Sequence, residues 1–168
     1  MNPSHFSQPL QTSSTLTKNI EQPQKTEHCF YYRVGDFAIL LEKSLTTEVF
    51  LNLSVTAIPF SPNWCKGLTN LRSDLLPVVD LHQLLMKKSV NQHHFLYLKH
   101  PNFPAVILSC DGYPQPIELD PQNKSSKASL NTPQWLAQHQ QSLGKGLFIA
   151  NHGLLLKILQ QQHQTMIN

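Results

Sequence analysis

The strongest constraint on this chain is how its apolar residues are grouped: short runs of β-branched and aromatic residues, each cut off by turn-forming residues before a long helix can develop. Cys29-Phe30-Tyr31-Tyr32-Arg33-Val34 is followed by Gly35-Asp36 and then Phe37 to Leu41, two strand-like runs around a tight turn. Leu68 to Leu71 and Leu75 to Leu81 flank Arg72-Ser73-Asp74, which places Arg72 on the exposed tip of a second hairpin. Thr46 to Leu51, Val55 to Phe60, Phe95 to Leu98, Ala105 to Leu108 and Ile117 to Leu119 repeat the style, and twelve prolines oppose uninterrupted helices. About ten short strands with turn signals between them predict an all-β sandwich or a pair of barrels.

The ends and one connection read differently. Met1 to about Glu27 is rich in Ser, Thr, Gln, Asn and Pro, too poor in large apolar residues to offset its ordering entropy, and is expected to be a disordered tail (1–27). Asp120 to Asn131 reads as a polar loop. Thr132-Pro133, a hydroxyl cap before a proline, predicts a short helix over 133–141. Gly146 to Ala150, Asn151-His152-Gly153 and Leu154 to Leu159 suggest a closing hairpin, with a helix as the alternative for the last run, before a polar tail over 161–168.

Several kinds of chemistry find no support. Thirteen Lys plus Arg against ten Asp plus Glu leave a formal charge of +3, too small and dispersed for a nucleic-acid surface. A small β-barrel that binds single strands remains the competing reading, although the aromatics sit in apolar runs rather than among Lys and Arg. Cys29, Cys65 and Cys110 form neither a disulfide framework nor a CxxC motif and are expected to be free core thiols. There is no basic start followed by an apolar run, and no run near the ~18 apolar residues a bilayer span needs, so a cytoplasmic protein is expected. No glycine-rich phosphate loop occurs. His93 and His94, on a strand, point to opposite faces, and with His100 they lack a close acidic or thiol ligand. Cys110-Asp111 has no identifiable base to make it a nucleophile, and Asp74, Asp80 and Asp111 fall at strand ends, where Asp bonds local backbone. No catalytic residue, metal or cofactor is assigned. Trp64, with Phe60 and Pro62 before it, is either a cap over the core or an exposed binding wedge.

The run from Glu48 to Leu81 carries the most specific pattern. It contains Glu48-Val49, Val55-Thr56-Ala57-Ile58-Pro59, Pro62, Trp64, Lys66-Gly67-Leu68-Thr69-Asn70-Leu71-Arg72 and Pro77-Val78-Val79-Asp80-Leu81. This resembles the CheW-like domain family, whose pattern reads roughly E-[IV], an I-x-P approach, a G-x-x-N-L-R-G hairpin and an [IV]-P-V-x-D-L strand. Tyr31 to Leu41 resembles the family's first hairpin, Val106 to Gly112 its apolar run ending in Asp-Gly, and Gly146 to Leu159 its closing hairpin. The Pro62 and Trp64 approach looks most like the PilI-type proteins of pilus chemosensory systems.

The resemblance implies two intertwined five-stranded SH3-like β-barrel subdomains over 28–160, with no catalytic centre and no cofactor. It also implies a role as an adaptor that binds the cytoplasmic tip of methyl-accepting chemoreceptors and the regulatory domain of a CheA-type histidine kinase, recruited from the cytoplasm to membrane receptor arrays. Thr46, Glu48, Gly67, Asn70, Leu71 and Arg72 are the protein-binding residues it points to. Arg72 offers a planar fork of donors to a partner's carboxylates or carbonyls; the alternative is that it braces its own barrel through a carbonyl or Asp80. Glu48 and Thr46 lie on the strand that borders the partner surface, or on a plain solvated strand face. Two positions depart from the pattern: Ser73 stands where the family usually has Gly, and Lys157 where its closing strand often carries Asp.

Overall fold

Gly35 takes a positive φ of 57°, and the chain reverses there, so that β1 (Glu27–Val34) and β2 (Phe37–Leu40) pair antiparallel with Val34 opposite Phe37. The structure is a computed structural model and describes residues 1, 26–119, 125–126, 132–139 and 146–165. The expected tail over 1–27 lies outside these residues except at its two ends, as does most of the polar loop 120–131.

After β2 the chain leaves its first sheet, builds a second, and returns. The second sheet takes β3 (Thr46–Leu51), β4 (Cys65–Leu71), β5 (Asp74–Val79), β6 (His94–Lys99) and β7 (Val106–Cys110) in the order β3-β6-β7-β5-β4. The strands β8 (Gln115–Leu119), β9 (Ser125–Ser126), β10 (Leu136–His139) and β11 (Leu147–Ala150) then complete the first, in the order β8-β1-β2-β11-β10-β9. The expected intertwined, all-β pair of five-stranded units is what forms, with the two-residue β9 as a sixth strand on the first sheet.

Adjacent residues along the strands enter different cores. Tyr31 and Ala38 pack in a cluster on one face of the first sheet, Val78, Phe95 and Ile107 in one on the second, and their neighbours Tyr32, Ile39, Val79, Leu96 and Leu108 share a third cluster formed by both sheets. With both faces covered, central strands need no polar alternation, and β7 is buried at all five positions. This explains why these runs look continuously apolar in the sequence.

The five-stranded sheet has β3 and β4 at its edges, and the chain itself joins them. Past β3, Thr56 forms an antiparallel bridge with Leu68 of β4, with N–H to O distances of 2.8 and 2.9 Å. Gly67 makes that crossing feasible. Its φ is 136°, and a Cβ there would lie 2.0 Å from the Thr56 carbonyl oxygen. Between the bridge and β4 the chain turns tightly: Ser61 N–H donates to the Ile58 carbonyl at 3.4 Å, with Pro59 and Phe60 between them. Phe60 has φ 59° and is fully exposed. That is the pattern of a type II turn with phenylalanine where glycine is preferred, a conformation that costs a side chain about 1–2 kcal/mol.

Two helices complete the fold: the first corrects the sequence reading, and the second decides between the two alternatives left open for the last run. Asp80 ends the β5 run by accepting from Gln83 N–H at 3.0 Å, which starts α1 (Leu81–Met86); Lys87 closes it at φ 55°. Asn151 likewise accepts from Leu154 N–H at 2.8 Å and starts α2 (His152–Thr165), burying Leu155, Leu156 and Leu159 on one face. The last run is therefore a helix rather than a hairpin strand, and it continues past 160. Of the helix expected over 133–141, the described residues 133–139 form none. Pro133 accepts from Leu136 N–H at 2.9 Å in a single turn, after which Leu136–His139 pairs with β11, because a sheet edge satisfies that backbone and buries Leu136.

Candidate functional site

The Arg72–Ser73 pair is the whole turn between β4 and β5: Leu71 pairs with Asp74, so Asp74 belongs to the strand rather than to a three-residue tip. Both turn residues have positive φ, 52° at Arg72 and 72° at Ser73, the pattern of a type I′ turn. Ser73 therefore sits where glycine would be unstrained, at a cost of about 1 kcal/mol.

From this tip Arg72 reaches the opposite edge of the sheet. Its Nη2 donates to both carboxylate oxygens of Glu48 on β3, at 2.7 and 2.8 Å, and the guanidinium carbon lies 5.7 Å from the Phe50 ring centroid. Thr46, Glu48 and Phe50 alternate along β3 and so share a face, which presents Thr46 and Glu48 to solvent while Phe50 is half-buried. Arg72 is braced on its own sheet, but by Glu48 rather than by the carbonyl or Asp80 read from the sequence. Asp80 is buried and engaged elsewhere, with Gln83 N–H, Ser89 Oγ at 2.8 Å and Lys66 Nζ at 3.7 Å.

The Arg72 side chain is 68% exposed and that of Glu48 43%, so their ion pair contributes only about 0–1 kcal/mol to stability. Its consequence is orientation: among the described residues only Nη2 of the guanidinium is hydrogen-bonded, and Nη1 and Nε keep their donors unused. Asn70 is exposed next to the tip, opposite Leu75, which is 65% exposed. Leu71 is half-buried against the second-sheet core. Gly67 is buried under the Thr56 carbonyl and supports the site without facing solvent. Thus Thr46 and Glu48 on the β3 edge and Asn70, Leu71 and Arg72 at the end of the β4 edge are linked through the Arg72–Glu48 pair, and Gly67 lets the chain cross between the two edges.

The other candidates resolve into structure. Cys110 is buried, and burial pushes its thiol up to about 12, far from a thiolate nucleophile. Cys29 and Cys65 are half-buried rather than fully enclosed. Asp111 accepts from Gly35 N–H at 2.6 Å and lies 2.9 Å from His82 Nε2, tying β7 to the first hairpin. Trp64 packs against the shared core, half-buried, while Phe60 is the member of that cluster left outside.

Sequence reasoning missed two buried histidines. His82 accepts from Gln92 Nε2 at its Nδ1, 2.7 Å away, while its other nitrogen faces Asp111. His152 stands at the start of α2, its N–H 2.7 Å and its Nδ1 3.1 Å from Glu42 Oε1, and its Nε2 3.2 Å from the Tyr32 hydroxyl. Burial pushes the Tyr32 hydroxyl up, and the His152 bonds hold the Glu42 carboxyl below its ordinary value of 4.5. Residues up to 120 positions apart meet here, so no local spacing announces them.

The sequence pattern of the CheW-like domain matches residues 29–156. The chain belongs to the CheW-like domain family. Among solved structures it is similar to the scaffolding protein TtCheW from Thermoanaerobacter tengcongensis, with a TM-score of 0.62 and 17% identity, covering 75% of this chain and 89% of that one. That likeness concerns the fold. No curated protein matches this chain in sequence. Within the CheW-like frame, Lys157 is exposed on α2 rather than on a closing strand. No helix among the described residues is long and apolar enough to cross a membrane.

Proposed function

We propose that this chain is a non-catalytic adaptor that couples methyl-accepting chemoreceptors to a CheA-type histidine kinase, using the Arg72 tip and the β3 edge as its contact surface. The observation that carries this reading is the meeting of Glu48 and Arg72: residues 24 positions apart converge on an exposed edge in a pair too weak to matter for folding. Thr46 and Asn70 extend the polar rim, Leu71 supports it, and Gly67 holds the edge closed. Family membership supports the adaptor role, the absence of a reaction and the cytoplasmic location at receptor arrays. Pro62 and Trp64 favour a PilI-type member serving pilus-based twitching motility.

Arg72→Ala tests this. Truncating an arginine at the centre of an interface costs about 2 kcal/mol or more of binding, whereas an exposed tip residue changes stability by about 0.5 kcal/mol. The variant should melt almost as the parent does and bind the receptor tip or the kinase regulatory domain at least about tenfold more weakly. A stable variant that binds both normally removes Arg72 from the site.

A further inference from the structure

The contact that aims Arg72 is a pivot rather than a fork. Both Glu48 oxygens accept from the same nitrogen, Nη2, at 2.7 and 2.8 Å. The carboxylate therefore fixes where that nitrogen sits and leaves the guanidinium plane free to turn about it, whereas a pair that engages two nitrogens would fix the plane as well. The backbone does not supply the missing restraint. The turn places the Arg72 Cα, and a long, exposed side chain on a two-residue tip keeps its torsions between there and the guanidinium.

A second group meets the same guanidinium. Its carbon lies over the Phe50 ring, 5.7 Å from the centroid, within the range at which a cation is drawn to an aromatic face. A planar guanidinium also stacks on such a face, which a compact ammonium does not. The ring is anchored in its turn: Phe50 pairs in the β3–β6 ladder with Phe95, whose side chain is buried, and it shares the strand face of Glu48 two residues before it. A carboxylate at one nitrogen fixes a point, and a ring across the face fixes the plane. Together they leave one orientation.

We infer that Phe50 is the positioning residue of the Arg72 surface, its ring setting the tilt of the guanidinium so that the unused Nη1 and Nε donors are offered in a single orientation. It acts through Arg72 and not by touching the partner. A partner then meets donors already ordered, and binding does not have to freeze the side chain. What those donors meet rests on the adaptor reading; the tilt itself does not.

NMR of the full chain, with its arginine side chains labelled, is the test, beside binding measurements. Protons over an aromatic face resonate upfield, so Phe50→Leu, which keeps an apolar side chain and removes the ring, should move the Arg72 Nε–H and δ-methylene signals downfield. It should also weaken, at least about threefold, whichever binding Arg72→Ala weakens. Phe50→Tyr should restore both, and in an Arg72→Ala background Phe50→Leu should weaken binding no further. Val49→Ala, which trims packing against the shared core, should lower the melting temperature and leave the Arg72 signals in place. Arg72 signals indifferent to Phe50→Leu, or binding losses from the two substitutions that simply add, overturn the inference. If Arg72→Ala binds both partners normally, the adaptor reading fails, and the signals alone decide whether Phe50 sets the tilt.

Discussion

The Arg72–Ser73 turn and the Pro59–Phe60 turn adjoin opposite ends of β4, and each holds side chains at positive φ where glycine would be easier. They are fixed by different means. The first is a two-residue hairpin whose arginine is aimed by a carboxylate on the far edge of the sheet. The second is set by its own backbone, through Pro59 and the Ser61 to Ile58 bond, and its phenylalanine is held by nothing beyond the turn. A polar group needs an oriented partner to keep its donors in register, whereas an apolar ring needs only to be kept out of its own core. Both turns give up stability to present a side chain.

The largest effect should come from the residue both turns depend on. Gly67→Val places a side chain into the Thr56 carbonyl at a φ that L residues avoid, so a loss of about 3 kcal/mol or more is expected in urea melts. A variant near parental stability would show that the Thr56–Leu68 bridge is dispensable and that the two turns are independent.

Relieving the strain should sharpen the contrast. Ser73→Gly and Phe60→Gly should each raise stability by about 1 kcal/mol in thermal melts, with Ser73→Gly leaving the Glu48–Arg72 contact available. If either variant destabilises the fold, its native turn is not strained as described.

The smallest effect concerns Glu42, away from both turns. Its carboxyl is held below 4.5, first by the His152 side-chain bond, so it contributes stability above its unfolded value that is lost as pH falls through its lower folded value. Glu42→Gln should be less stable than the parent at neutral pH, with the difference shrinking as pH drops below 4.5. A difference that stays constant across that range would detach the effect from this carboxylate.

Much of this molecule was legible because hairpin turns and apolar runs are local. The Gly35-Asp36 hairpin and the Arg72 tip followed from neighbouring residues, and so did the family pattern around Gly67, Asn70 and Arg72. The errors fell where one local signal competed with another. Asp80 and Gln83 have capping-box spacing, yet the apolar run into Leu81 hid the start of α1. Thr132-Pro133 carried a sound helix start that sheet pairing overrode. Asn151-His152-Gly153 has the composition of a turn, yet Asn151 caps α2. The Glu48–Arg72 pair was out of reach because it forms only when the two sheet edges meet.

The central claim is that this pair serves a partner and not the fold. Exchanging the charges, Glu48→Arg with Arg72→Glu, restores the ion pair with its ends reversed. Binding to the kinase regulatory domain and the receptor tip, measured by titration calorimetry beside a thermal melt, separates the two roles. The account predicts a melting temperature close to the parent and affinity still at least about tenfold weaker, because the partner meets the wrong charge at each end. Full recovery of binding on exchange, with single variants that lose binding only as they lose stability, would contradict it.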